Sequence, residues 1–307
     1  MKPKLVLTAL AALTLVAVVS AVTLGHRHLS LNKSPAQART FQVHGQVRGI
    51  DPADKTIRIA HEEIPNYMPA MTMSLPVKDA ALLKNLEVGD NVQFELLVTD
   101  DDSWISHIEK IQSEVAAAQP ATGTTRSLEE LEAKRLRVGE VVPDFKLTDQ
   151  DGRPIHLKDF RGKAVVLTFI YTRCPLPNFC PLMSKNFAEL EQRLSKEFPN
   201  KYQLLSISMD PEFDRPEVLK EYAARYGADP KDWSFAAGDV GSLNFVAGLM
   251  GLYFEKENGL ISHDLRTALI GPDGRLVQLW KSNVWTPYEV QRSVRETLTG
   301  HADVASR

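Results

Sequence analysis

Cysteine is nearly absent from this 307-residue chain, which carries two, Cys174 and Cys180. Five residues separate them, too many for the C-x-x-C of a redox helix, and no second pair exists to complete a four-cysteine zinc site. The chain has no C-x-x-C-H, which excludes a c-type haem. The Pro-x-x-x-Thr-x-x-Cys of peroxiredoxins is missing before Cys174, which argues against a peroxidase. There is no excess of one charge. Lysine and arginine total 36 against 39 aspartate and glutamate, and the net −3 offers no field to nucleic acid. Fixed-period repeats are absent, and only one apolar run is long.

That run, Leu5 to Leu24 (LVLTALAALTLVAVVSAVTL), follows Lys2 and Lys4. At 1.5 Å per residue it can cross a hydrocarbon core of ~30 Å. Residues 1–25 therefore read as an uncleaved membrane anchor or as a signal peptide with Val19-Ser20-Ala21 at its cleavage site. Either way the positive flank stays inside and the remaining chain is exported, to the periplasmic side of the inner membrane. Export permits a disulfide. A staple closing so short a loop contributes only roughly 2–2.5 kcal/mol, which a large core hardly needs.

Residues 26–39 are polar and aperiodic, a linker. From 40 to 112 apolar and polar residues alternate: Phe41, Val43 and Val47, then Ile57 and Ile59, then Val92, Phe94, Leu96 and Val98. Turn residues separate them, at Asp51-Pro52-Ala53-Asp54, Gly89-Asp90 and Asp100 to Ser103. Short strands at this spacing predict an all-β domain, a small OB-like barrel. Residues 113–136 read as a second linker and a short helix, begun by the capping box Ser127-Leu128-Glu129-Glu130. From 137 to 299 the pattern is α/β, and 300–307 is a tail. A continuous apolar strand (165–171) runs into the cysteine loop, followed by a helix with Met183, Phe187, Leu190 and Leu194 on one stripe. A second buried strand (202–209), a helix begun by Pro216 and another near 240–250 follow. Strands 265–270 and 275–281 then flank the turn Gly271-Pro272-Asp273-Gly274, and a helix at 286–298 closes a thioredoxin-like layered sheet.

Pro181 suits the first position of a helix, which puts Cys180 at or near its N-cap, where exposed N–H groups favour a thiolate. Cys174 lies upstream, at the end of the buried strand. Two sulfurs converging on a helix N-terminus make a redox couple or a soft-metal site. Of eight histidines, His263 is the best-placed third ligand, opening the strand of the final hairpin.

Three stretches carry a resemblance: VGEVVPDFKLTDQDGRPIHLKDFRGKAVVLTFIYTRCPLPNFCP, SISMDPEFDRP and ISHDLRTALIGPDG. Together they resemble the Sco/SenC family of thioredoxin-fold copper chaperones, which help assemble the binuclear copper centre of cytochrome c oxidase. The resemblance implies Cys174, Cys180 and His263 as copper ligands. Family members commonly have three residues between the cysteines, where this chain has PLPNF. Asp210, in the matched SMDP stretch, is expected to be a solvated loop carboxylate with no ligand role. Two thiolates and an imidazole suit Cu(I), with Cu(II) and zinc also accepted by that set.

The β-rich part holds a second unusual stretch, His61-Glu62-Glu63-Ile64-Pro65-Asn66-Tyr67-Met68-Pro69-Ala70-Met71-Thr72-Met73, with three of the chain's seven methionines. Met71 and Met73 are two apart, so on a strand both thioethers share a face. Methionine is an adaptable packing residue, but neutral sulfur beside an imidazole selects Cu(I). The segment is similar to the CusF-like periplasmic copper-binding domains, OB-type barrels with a His followed by W-P-x-M-T-M. That similarity implies His61, Met71 and Met73 as ligands. Met68 stands where the family has a tryptophan, as a fourth thioether or a sulfur wall.

The two readings converge on an exported metallochaperone that carries copper at both sites, tethered by a linker of ~14 residues spanning roughly 20 Å. The expected partners are a cytochrome c oxidase subunit or another copper acceptor, and the membrane through the N-terminal segment. A thiol–disulfide oxidoreductase using Cys174 and Cys180, and a resistance protein that only sequesters copper, are the alternatives.

Overall fold

Alternation in the first half becomes a sheet with one face turned inward. A computed structural model describes residues 38–112 and 133–300. The apolar run 5–24, most of both linkers, the Ser127 capping box and residues 301–307 lie outside the described residues. Strands β1 (Arg39–Asp51), β2 (Thr56–His61), β3 (Met71–Pro76), β4 (Asn91–Val98) and β5 (Ser103–Lys110) form an antiparallel sheet in the order β3-β2-β1-β4-β5. Val43, Val47, Ile57, Ile59, Val92, Phe94 and Leu96 fill its core. β1 is shared between β2 and β4, and the register shifts between Val47 and Gly49, as a bulge in so long a strand allows.

The sheet does not close into a continuous barrel. Its edge strands meet only beyond β3, where Val77 bridges Ile105 and the Lys78 N–H donates to the Ile105 carbonyl at 2.9 Å. β3 stops at Pro76, which has no N–H with which to extend a ladder.

The second half begins with β6 (Lys146–Asp149), β7 (Pro154–His156), β8 (Ala164–Ile170), α1 (Cys180–Glu197), β9 (Tyr202–Ser208), α2 (Pro216–Arg225) and β10 (Trp233–Ala237). It continues with α3 (Val240–Leu249), β11 (Phe254–Glu257), β12 (Leu260–His263), β13 (Arg266–Ile270), β14 (Leu276–Lys281) and α4 (Pro287–Thr299). Seven strands form one sheet in the order β14-β13-β8-β9-β10-β6-β7, with β8, β9 and β10 parallel and the rest antiparallel. Every residue of β8 and β9 is buried, which is why those strands read as unbroken apolar runs. α1 packs on β8, β9 and α4 through Met183, Phe187, Leu190 and Leu194, and α2 lies against β10. This is the thioredoxin-like layering the sequence predicts.

Of two local expectations, the first holds to within one residue and the second needs correction. The helix after the cysteine loop starts at Cys180 itself, with Phe179 as the N-cap residue and Pro181 one position further in. His263 does not open the final hairpin. It ends β12, which pairs only with β11 in a separate two-stranded ribbon, because Asp264 interrupts the ladder before β13 starts at Arg266.

Candidate metal centres

β8 delivers the chain to the cysteine loop at the end of the sheet, and α1 begins where the loop finishes. The sulfurs of Cys174 and Cys180 and a ring nitrogen of His263 all lie within 4.8 Å of one another. Among the described residues no other group of three His, Cys, Asp or Glu side chains comes together in this way. Both cysteines are free thiols; Cys180 is fully buried and Cys174 half-buried. Cys180 Sγ lies 3.6 Å from His263 Nε2 and receives the Tyr171 N–H at 3.4 Å.

His263 is aimed from behind. Its Nδ1 lies 2.7 Å from the Asp264 carbonyl, which can only accept, so Nδ1 carries the proton and the Nε2 lone pair faces the sulfurs. Tyr171 and Phe179 meet the ring edge-on, at centroid distances of 5.7 and 6.0 Å. The thiols differ in acidity. Burial opposes ionisation of Cys174, but its contacts with Cys180 and His263 hold it well below the ordinary thiol range. Burial and the adjacent Cys174 sulfur push Cys180 up. The pair therefore ionises at Cys174 first.

Residues that the sequence reading passed over hold this loop. Asp214, fully buried, accepts the Thr172 N–H at 3.0 Å, the Thr172 hydroxyl at 2.5 Å and the Ser208 hydroxyl at 2.6 Å. Asp210 is not the solvated carboxylate expected. It is 2% exposed, pairs with the Arg173 guanidinium at 2.5 Å and sits with Asp214 beneath the loop. The signal for both was present, in the matched stretch SISMDPEFDRP.

The second constellation lies on adjacent strands. His61 and Met71 are direct cross-strand partners and Met73 pairs with Ile59, so His61, Met71 and Met73 point to one face of the sheet. His61 is prepared as His263 is, with Nδ1 2.6 Å from the carbonyl of the next residue, Glu62. Its Nε2 is buried with no hydrogen-bond partner. Desolvation holds the His61 pKa below the ordinary imidazole range, so the ring is a neutral donor. An orphaned imidazole nitrogen beside two thioethers is a costly arrangement for a core and a suitable one for a soft cation. Met68 is buried in the core and bridges Ile64 across a tight turn.

Residues 133–299 match the family model SCO1/SenC, and residues 40–110 match that of the copper binding periplasmic protein CusF. A SCO1 protein homolog of Bacillus subtilis is 30% identical over 154 residues, which cover 49% of this chain and 78% of that protein. Two solved structures are also similar. One is BsSco, a member of the Sco family of cytochrome c oxidase assembly proteins (27% identity, 54% of this chain and 97% of that one, TM-score 0.47). The other is Bradyrhizobium japonicum ScoI with copper bound (27% identity, 52% and 100% coverage, TM-score 0.44). Among the described residues no helix is long and apolar enough to cross a membrane.

Proposed function

This chain belongs to the SCO1/SenC family, whose model spans more than half of it, and from that premise we propose an exported copper metallochaperone with two copper sites. Copper is cargo here. Cys174, Cys180 and His263 hold it at the thioredoxin-like domain as Cu(I), with Cu(II) also accepted because an imidazole is present. His61, Met71 and Met73 hold Cu(I) at the N-terminal module, and Met68 adds a thioether wall. The recipient is a copper-accepting subunit of cytochrome c oxidase, reached on the periplasmic face of the inner membrane, to which residues 1–25 anchor or deliver the chain.

The observation that carries the reading is the meeting of two sulfurs and one correctly tautomerised imidazole nitrogen within 4.8 Å at the end of a buried strand. Anaerobic Cu(I) titration of the protein against a chromophoric chelator tests it. Wild type is expected to hold about two equivalents, and either His263→Ala or Met71→Ala/Met73→Ala about one. Wild-type protein that leaves desalting without copper overturns both sites.

The unequal acidity of the two free thiols favours one further reading, a dithiol that reduces a disulfide on the copper acceptor. Cys174 thiolate attacks the partner's disulfide, Cys180 resolves the mixed disulfide, and two electrons leave with the reduced partner. Dithiol turnover preserved in His263→Ala, with no copper bound by wild type, would select this reading.

A further inference from the structure

The five residues that separate the cysteines do more than space them. In Pro175-Leu176-Pro177-Asn178-Phe179, two residues bond to the N-terminal module. The Tyr67 hydroxyl donates to the Pro175 carbonyl at 3.2 Å. The Asn178 side chain exchanges two hydrogen bonds with Ser103, receiving the hydroxyl at 2.6 Å and donating to the Ser103 carbonyl at 2.8 Å. Asn178 is 3% exposed and Ser103 fully buried, so each partner is the answer to the other's burial. Behind them the Asn283 amide donates to the Asn178 carbonyl at 2.7 Å and ties the loop to the domain.

The ribbon that carries His263 completes the grip. β3 is an edge strand, and its outward backbone groups need partners. Glu257 accepts the Thr72 N–H at 2.5 Å, Asn258 donates to the Ala70 carbonyl at 2.5 Å, and Ser262 donates to the Thr72 carbonyl. Arg58 of β2 lies over the Tyr253 ring, 4.0 Å from its centroid. β5, the other edge, is met at its first residue by Asn178. Both open edges of the module's sheet are therefore held by the two segments that supply Cys174, Cys180 and His263.

We propose that the lengthened inter-cysteine loop is a docking element, and that the N-terminal module is a lid seated on the Cys174/Cys180/His263 site. A cleft of about 320 Å³ runs between the two parts, lined by Arg58, Phe179, Asp264, Arg266 and Asn283. It admits a small molecule beside the site and is far too small for a protein. A macromolecular copper acceptor reaches Cys174 only after the lid leaves. That last step rests on the copper reading; the lid does not.

The test uses the full chain without metal and compares two thiol reagents, a small uncharged maleimide and the same maleimide on a long polyethylene glycol. In wild type the bulky reagent lags the small one. Asn178→Ala, which alters the loop and removes both hydrogen bonds, and Ser103→Ala, which alters the module and removes the hydroxyl one, are each expected to speed the bulky reagent at least about tenfold, the scale of one lost buried hydrogen bond. The small reagent changes little. Ser103→Ala/Asn178→Ala is expected to be no faster than Asn178→Ala, which already removes both hydrogen bonds, including the one to the Ser103 carbonyl that Ser103→Ala leaves in place. Tyr67→Phe acts in the same direction. With native circular dichroism retained, bulky-reagent rates unchanged in Ser103→Ala overturn the lid. Equal acceleration of both reagents overturns it too, since that reports altered thiol chemistry. A protein that shields its thiols in this way yet takes up no Cu(I) refutes the copper reading and leaves the lid standing.

Discussion

His61 and His263 are prepared by the same device. Each ends a short strand, is buried, and donates Nδ1–H to the carbonyl of the following residue. The turn of the chain after the strand supplies that carbonyl, so no second side chain is needed to set the tautomer. Asp214 works at the same scale, because it fixes Thr172 two residues ahead of Cys174. Asp214→Asn removes the charge and turns one of the two accepting oxygens into an NH2 donor, weakening three hydrogen bonds each worth roughly 1.5–3 kcal/mol when the acceptor is charged. It is expected to weaken Cu(I) retention at the cysteine site about tenfold while leaving His61, Met71 and Met73 loaded, measured by chelator competition in wild type and variant.

Glu191 gives the protein a pH dependence unrelated to copper. Burial raises its pKa from 4.5 to about 7, partly opposed by the Asp229 N–H, which it accepts at 3.0 Å. A carboxyl whose pKa is higher folded than unfolded contributes stability that is complete below pH 4.5 and lost as pH rises through about 7. Glu191→Gln keeps the acceptor and removes the ionisation. It should match wild type near pH 5 and exceed it by about 2 kcal/mol near pH 8 in urea unfolding. An equal difference at both pH values would show that the carboxyl does not titrate in this range.

Strand pairing decides at the scale of elements. Gly45 of β1 faces His61 of β2, and a Cβ there would come within 2.4 Å of Ile59 Cγ2 and 2.8 Å of the Ala60 carbonyl oxygen. β1 and β2 would have to separate where His61 is held. Gly45→Ala is expected to cost about 1–3 kcal/mol and to release copper from the methionine site while the cysteine site keeps its equivalent, read by thermal unfolding and titration of the same variant. Sequence patterns located β2, β8, β9 and α1 because their burial is one-sided or complete, and both leave a clear period. β11 and β12 left no such trace. Each is four residues long, and their partners are each other and the edge of β3, so neither repeats a core-facing pattern.

For the whole molecule, the docked interface determines how the parts unfold. Hydrogen bonds from Asn178, Glu257, Asn258 and Ser262 tie the module to the thioredoxin-like domain, and the described residues fall within one compact unit. Wild type is expected to melt in a single calorimetric transition, and Ser103→Ala/Asn178→Ala in two. Two transitions in wild type would mean the interface contributes little to stability. The linker estimate of roughly 20 Å treats the sites as tethered partners that meet by diffusion. In the structure the module and the thioredoxin-like domain are in direct contact instead.

Sequence alone determined the donor chemistry. Two cysteines and a His-Asp beside a thioredoxin-like pattern, and a His with PAMTM on β-strands, are soft donor sets because ligand softness is a property of residue type. It also set the shared face of Met71 and Met73, since a strand has a period of two. Only the tertiary structure decided that His263 sits on its own ribbon, that both imidazoles present Nε2, and that Asn178 meets Ser103. The Asn178–Ser103 contact joins residues 75 positions apart, and Cys180 meets His263 across 83. No local period encodes them, because they exist only once both sheets have formed and their edges need partners.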